Sequence, residues 1–323
     1  MRVAASLLLA AALATACQRQ APAGASPSPE VTPAAAPTAS AANPAATVYM
    51  CPMDKDIRKL EPGKCPRCGM ALVTSVPDPV EYHVDVDTSA PPVPGRVTHL
   101  TFHVADPWKG NPVTRFSLVH ERLYHAFVVS SDLEFFTHGH PQWSGNAFGY
   151  DVTFPKPGMY RILSDFYPEA SAPQLSTSTI FVGPEPAIRR VALGRDYSAK
   201  QDQNLGASLV TIPEEPIVGM PTRLRMTVEP TEGFEKYLGV WGHMLVASDD
   251  LIDMMHTHPT IADGGAEIEF NVVFPRARGY RVWVQFQRKG VVNTMRFDVP
   301  VHPLPDTPVG AITAASHRAH GRG

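Results

Sequence analysis

The chain has little that would mark a membrane-spanning, nucleic-acid-binding or helical protein. Beyond the N-terminal segment no apolar run approaches 18 residues, so no second membrane segment is expected. Charged residues make up only 18%, the net charge is −3 and no basic stripe interleaves with aromatics, which argues against nucleic acid as a partner. No long amphipathic helical pattern occurs, and 33 prolines punctuate the chain as they do in all-β proteins. A nucleophile elbow, a Walker loop and an HExxH helix are missing, so an enzyme is not expected. Cysteine is scarce as well, four in 323 residues.

Three of those four are concentrated. Residues 49–70 begin Tyr49-Met50-Cys51-Pro52-Met53 and end Cys65-Pro66-Arg67-Cys68-Gly69-Met70, placing three thiols and three thioethers within 22 residues. Thiolate and thioether sulfur are soft donors that select Cu(I), Zn(II) and similar ions over Mg or Ca, so the segment reads as a metal site. Structural zinc ribbons use the same CPxCG knuckle, but three thiols exclude a ribbon of four cysteines here. A structural zinc completed by an outside ligand, and a Cys65–Cys68 disulfide in an oxidising compartment, stay open as alternatives. Residues 49–73 resemble the short heavy-metal-binding domain with the pattern CPM…GKCPxCGM, which occurs near the N-termini of copper-exporting P-type ATPases and in periplasmic copper-efflux proteins. The resemblance implies Cys51, Met53, Cys65, Cys68 and Met70 as ligands. It also implies copper, as Cu(I), as the leading ion with zinc second, and an efflux pump or metallochaperone as acceptor. Where that family has His-Pro after the first Met, this chain has Asp54-Lys55.

The N-terminus has the layout of an export signal. A positive start, Met1-Arg2, precedes 14 apolar-leaning residues, Val3 to Ala16, too short to span a membrane. The run ends Leu13-Ala14-Thr15-Ala16-Cys17, which resembles a bacterial lipobox with the Leu one position further from the Cys than usual. The expectation is a lipoprotein signal peptide over 1–17, lipidation at Cys17, and anchoring on the periplasmic side of the bacterial envelope. Gln18 after the Cys implies the outer membrane. Acyl chains anchor through roughly 0.8 kcal/mol per buried CH2. Residues 18–47, mostly Ala, Pro, Ser, Thr and Gly, lack the apolar bulk to offset their ordering entropy and read as a disordered linker.

An internal repeat organises the rest. Tyr124-His125-Ala126-Phe127-Val128-Val129-Ser130-Ser131-Asp132-Leu133 and His138-Gly139-His140-Pro141 recur at an offset of 118 as Gly242-His243-Met244-Leu245-Val246-Ala247-Ser248-Asp249-Asp250-Leu251 and His256-Thr257-His258-Pro259. Phe154 to Ile162 recurs at an offset of 120 as Phe274 to Val282. Leu100, Phe102 and Val104 alternate with polar residues, the period of a half-buried strand. Strand-sized runs broken by Pro, Gly and Asp, with Tyr160 and Tyr280 at strand openings, predict two tandem immunoglobulin-like β-sandwiches. The expected organisation is a heavy-metal-binding segment at 48–75, sandwiches at 80–184 and 185–303, and a disordered tail at 304–323. The repeats resemble periplasmic β-sandwich domains that accompany heavy-metal-binding segments in bacterial secreted proteins.

Six histidines fall in the repeated pattern. His138 and His140 are two residues apart, so on an extended strand both point to one side, as do His256 and His258. His125 and His243 lie 13 residues before the first of each pair, within reach of the neighbouring strand of a hairpin. Three imidazoles on one patch suit Cu(II) or Zn(II) and make these residues secondary metal candidates. The competing reading is packing and hydrogen bonding alone. Asp132 and Asp250 read as turn caps. The functional expectation is an envelope-anchored, non-enzymatic heavy-metal protein acting in sequestration, transfer or efflux. Two alternatives stand beside it: an interaction module with a structural zinc or redox Cys segment, and a copper-dependent redox enzyme.

Overall fold

A computed structural model describes residues 47–75, 80–184 and 191–305. The expected signal peptide with Cys17, the linker up to residue 46 and the tail from residue 306 lie outside the described residues. Every regular element among the described residues is a strand, and the strands pair antiparallel into five sheets. The fold is two tandem β-sandwiches preceded by a small Cys-containing lobe.

The lobe is a three-stranded sheet with β1 (Val48–Met50) between β2 (Arg58–Lys59) and β3 (Val73–Ser75). So small a sheet has little to bury, and its core is Cys51, Cys65 and Leu72 with Tyr49 and Ile57 packed against them.

In the first repeat β4 (His83–Thr88), β5 (Val97–Ala105), β8 (Gln142–Trp143) and β9 (Phe148–Thr153) form one sheet. The other contains β6 (Tyr124–Ser130), β7 (Phe136–Gly139), β10 (Gly158–Phe166) and β11 (Gln174–Val182). Leu100, Phe102 and Val104 of β5 are buried while the residues between them face outward, as their alternation requires. They meet Tyr124, Ala126 and Val128 of β6 and Tyr160, Ile162 and Phe166 of β10.

The second repeat copies this plan. One sheet runs β12 (Lys200–Asp202), β13 (Leu205–Ile212), β14 (Pro221–Glu229), β18 (Glu267–Val273). The other holds β15 (Phe234–Glu235), β16 (His243–Ser248), β17 (Met254–Thr257), β19 (Gly279–Arg288) and β20 (Val291–Pro300).

The turns repeat as well. Ser130 and Ser248 hydroxyls donate to Asp132 and Asp250, which in turn accept from the amides of Glu134 and Ile252, so both aspartates cap their turns. Between cap and strand, Leu133 and Leu251 sit at φ 59° and 55° with their side chains buried. The Tyr160 hydroxyl donates to Lys156 O at 2.8 Å and Tyr280 to Arg276 O at 3.1 Å, closing the same corner twice.

β6 and β16 are buried along their whole length. Their even-numbered residues enter their own sandwich cores. The odd-numbered Phe127, Val129, Leu245 and Ala247 join Leu133, Leu163, Leu251, Met254 and Trp283 in a third core between the repeats. Phe136 stacks on Trp283 at 5.2 Å between ring centres. Arg281 crosses the junction to Leu133 O at 2.9 Å and Glu134 at 3.1 Å, and Arg296 reaches Glu134 at 2.7 Å. The repeats are therefore joined face to face through apolar packing framed by ion pairs, and His125 and His243 lie on those same facing surfaces.

Candidate metal centres

The lobe gathers its three thiols. Ligand atoms of Cys51, Cys65, Cys68 and Asp54 all lie within 4.8 Å of one another. Cys51 and Cys68 Sγ are 3.5 Å apart, and Asp54 Oδ2 is 4.0 Å from Cys51 Sγ and 3.7 Å from Cys65 Sγ. The knuckle is closed by Cys65 N donating to Met70 O and Gly69 N donating to Cys65 O, with Gly69 at φ 78°. That left-handed value is the reason a glycine follows the second knuckle cysteine. Met53 and Met70 lie at the surface of the lobe, 70% and 37% exposed.

The three thiols are free and differ in exposure, Cys51 and Cys65 buried and Cys68 exposed. Burial works against ionising Cys65, but the amides of Cys68 and Arg67 outweigh it and hold the thiol below its usual range. At Cys68 the Met70 amide favours the thiolate, yet desolvation and the neighbouring thiols push the group up to about 11. Asp54 uses its other oxygen, Oδ1, for Lys109 and, at 2.7 Å, for Arg67; these two cations hold its carboxyl down at about 2. Lys109 belongs to the first sandwich. With Asn111 reaching Asp56 and Arg58 lying 4.4 Å over the Trp108 ring, it fastens the lobe to that repeat.

The histidines form two further groups. Ligand nitrogens of His125, His138 and His140 lie within 4.8 Å of one another, as do those of His243, His256 and His258. Each hairpin does this by register: Phe127 faces His138 and Leu245 faces His256, which sets the earlier histidine diagonal to the first of the later pair and, continuing the register, opposite the second. His125 Nδ1 is 3.1 Å from His138 Nε2. His243 Nδ1 is 3.3 Å from His256 Nε2 and 3.1 Å from His258 Nε2.

Hydrogen bonds on the far side of four of the six rings orient them. His125 Nε2 donates to Val119 O at 3.0 Å and His243 Nε2 to Tyr237 O at 3.1 Å. His256 Nδ1 is 2.5 Å from Asp165 Oδ2 and His138 Nδ1 is 2.7 Å from Gln285 Oε1. Asp165 and Gln285 are register partners of His125 and His243 on the adjoining strands, so each repeat supplies the support for the other repeat's ligand. Burial, with repulsion from neighbouring cationic groups, pulls His140 down to about 3 and His258 to about 2, and brings His138 and His243 well below their ordinary value. The direction favours the neutral ring, the form that offers a lone pair.

Sequence reasoning placed each histidine group on one face but not against the other group. It also missed Asp54 as a member of the thiol cluster and Asp165, Gln285 and His120 as neighbours of the histidines. Asp165 and Gln285 occupy equivalent positions at the same offset of 120 as Tyr160 and Tyr280, a signal legible beforehand.

Fold and site together define a two-repeat β-sandwich protein carrying a small heavy-metal-binding domain. The model for a heavy metal binding domain matches residues 48–74. The family described as Domain of unknown function (DUF8832) matches 75–179 and 203–303, more than half of the chain, and the chain belongs to it. The comparison with curated proteins finds no match. Among solved structures, the Escherichia coli adhesin FdeC is 16% identical, covers 72% of this chain and 71% of its own, and has a TM-score of 0.23. The bacterial integrin-binding protein invasin is 11% identical over 69% of this chain and 40% of its own, with a TM-score of 0.21.

Proposed function

We propose that the protein is a heavy-metal-binding protein of the bacterial envelope that captures a soft cation, Cu(I), on Cys51, Cys65 and Cys68 and hands it on by ligand exchange. The observation that carries this reading is the convergence of three free thiols in one small lobe, two of them, Cys51 and Cys65, in its core. Sulfur donors of this kind select soft ions. Exchange would begin at Cys68, the exposed thiol, with the surface thioethers of Met53 and Met70 as incoming or outgoing donors. An efflux pump or a metallochaperone is the proposed acceptor, and a lipid on Cys17 the proposed anchor. The role is binding and transfer rather than catalysis.

A second reading is favoured by Asp54. Three thiolates and one carboxylate make a closed tetrahedral set for Zn(II), and Asp54 Oδ2 faces the sulfurs. Titration of the full reduced chain with Cu(I) and with Zn(II) under anaerobic conditions separates the two. The transfer reading expects stoichiometric Cu(I) binding that disappears in the Cys65→Ser, Cys68→Ser variant. Full Cu(I) binding retained in that variant would refute it. Zn(II) held far more tightly than Cu(I) would establish the structural alternative.

A further inference from the structure

We propose that the two histidine groups are halves of one centre, built across the junction of the repeats to hold a pair of divalent transition-metal ions of the copper–zinc class. The inference goes beyond the thiolate lobe and stands without it.

The first observation is proximity. His138 lies 5.5 Å from His243 and 6.1 Å from His256 between ring centres, and His125 lies 6.0 and 5.8 Å from the same two. The rings of both groups therefore pack against each other in one cluster, and the His256 side chain is only 1% exposed. His120 closes one side, 3.8 Å from His258.

The second observation is the direction of the lone pairs. A backbone carbonyl only accepts, so His243 must carry its proton on Nε2 and present a lone pair at Nδ1. Asp165 accepts from His256 Nδ1, which turns the Nε2 of that ring toward His243. Two ring nitrogens whose outer partners both demand a proton thus meet at 3.3 Å. The first repeat is arranged alike, His125 Nε2 giving its proton to Val119 O and His138 Nδ1 giving its own to Gln285 Oε1, with the inner nitrogens 3.1 Å apart. Such facing nitrogens are satisfied by a cation shared between them, a metal ion or an added proton. Nitrogens bound at about 2.0–2.1 Å to a tetrahedral ion stand about 3.3 Å from one another, which is the spacing found.

The third observation is an orphan. His140 Nε2 is buried and has no hydrogen-bond partner among the described residues, a state that is uncommon for a buried polar atom and is relieved by a ligand. The same residue lines a surface cleft with His99, His103 and Trp143.

The two positions are not equivalent. His256 is backed by a carboxylate and His138 by a neutral amide, and a carboxylate behind a ligating imidazole makes it the stronger donor. The second-repeat position is therefore the tighter one. Because each supporting residue belongs to the opposite repeat, occupying the centre also ties the sandwiches together.

The test loads the full chain carrying Cys65→Ser and Cys68→Ser with Cu(II) alone, counts retained ions after desalting and records the copper EPR spectrum. Two ions per chain with a signal weakened or broadened by their mutual coupling are expected. Adding His140→Gln should leave one ion with an isolated-copper spectrum, and His258→Gln should do the same from the other side. Asp165→Asn should weaken one of the two ions by about 10- to 100-fold and leave the other unchanged. Circular dichroism of each variant separates loss of a ligand from loss of the fold. No retained copper in folded protein, two ions with uncoupled spectra, or retention unchanged by both histidine variants would each overturn the proposal. Any of these results leaves the thiolate assignment standing, and failure of Cu(I) binding at the lobe leaves this one standing.

Discussion

Phe127 offers the sharpest test of how the fold supports the histidine centre. Its ring lies in the core between the repeats, stacks on His138 at 4.1 Å and 17°, and touches the His256 ring at 4.6 Å. Replacing it with Ala removes a fully buried aromatic from both sides of the junction at once. Substitutions of this kind cost about 3–5 kcal/mol of stability, through lost transfer energy and the cavity left behind. Phe297→Ala is the matched control, because Phe297 is equally buried but lies inside the second sandwich core. Guanidinium denaturation followed by circular dichroism should show comparable losses for the two variants. Metal titration of folded protein should then separate them. Phe127→Ala should weaken binding at the histidine centre, since both neighbouring imidazoles lose their wall, and Phe297→Ala should leave it intact. Equal metal affinity in the two variants, or a loss below about 1 kcal/mol for Phe127→Ala, would refute the view that one apolar contact both joins the repeats and sets the ligand rings.

Other outcomes follow from single contacts. Asp54→Asn should leave Cu(I) affinity unchanged and lower Zn(II) affinity, because only the harder ion uses the carboxylate; competition titration with both ions reads this directly. Tyr160→Phe leaves the Lys156 carbonyl without its donor and should lower stability by about 1 kcal/mol in denaturant unfolding. Arg276, hydrogen-bonded to Asp250 at 2.8 Å, holds that carboxyl below its ordinary value of 3.8. A carboxylate depressed in the folded state stabilises at pH values above its unfolded pKa, and the gain is lost as pH falls through the folded one. Arg276→Ala should therefore be less stable than wild type at neutral pH and converge with it on acidification below about pH 4, as followed by thermal melts across pH.

Much of the architecture was legible before any coordinates. The alternation of Leu100, Phe102 and Val104 marked a strand with one wet face, and the repeat at offsets of 118 and 120 marked two copies of one sandwich. Tyr124 to Ser130 has no polar alternation because both its faces are covered, one by its own sandwich and one by the second repeat. Sequence periodicity says that such a strand is buried twice but not by what. For the same reason the histidine groups could be assigned to faces, while their meeting depends on how two domains dock. Asp54 was legible only as a departure from a familiar pattern. Its place among the sulfurs arises from the fold-back of the lobe and from Lys109, 55 residues away in sequence. The lipid anchor and linker lie outside the described residues and stand as expectations.

The account rests most heavily on sulfur ligation in the lobe. X-ray absorption spectroscopy of the full reduced chain, loaded with one equivalent of metal, tests it directly. A first shell dominated by sulfur, at about 2.3 Å when the ion is zinc, is the predicted result. A shell of nitrogen and oxygen alone would contradict it.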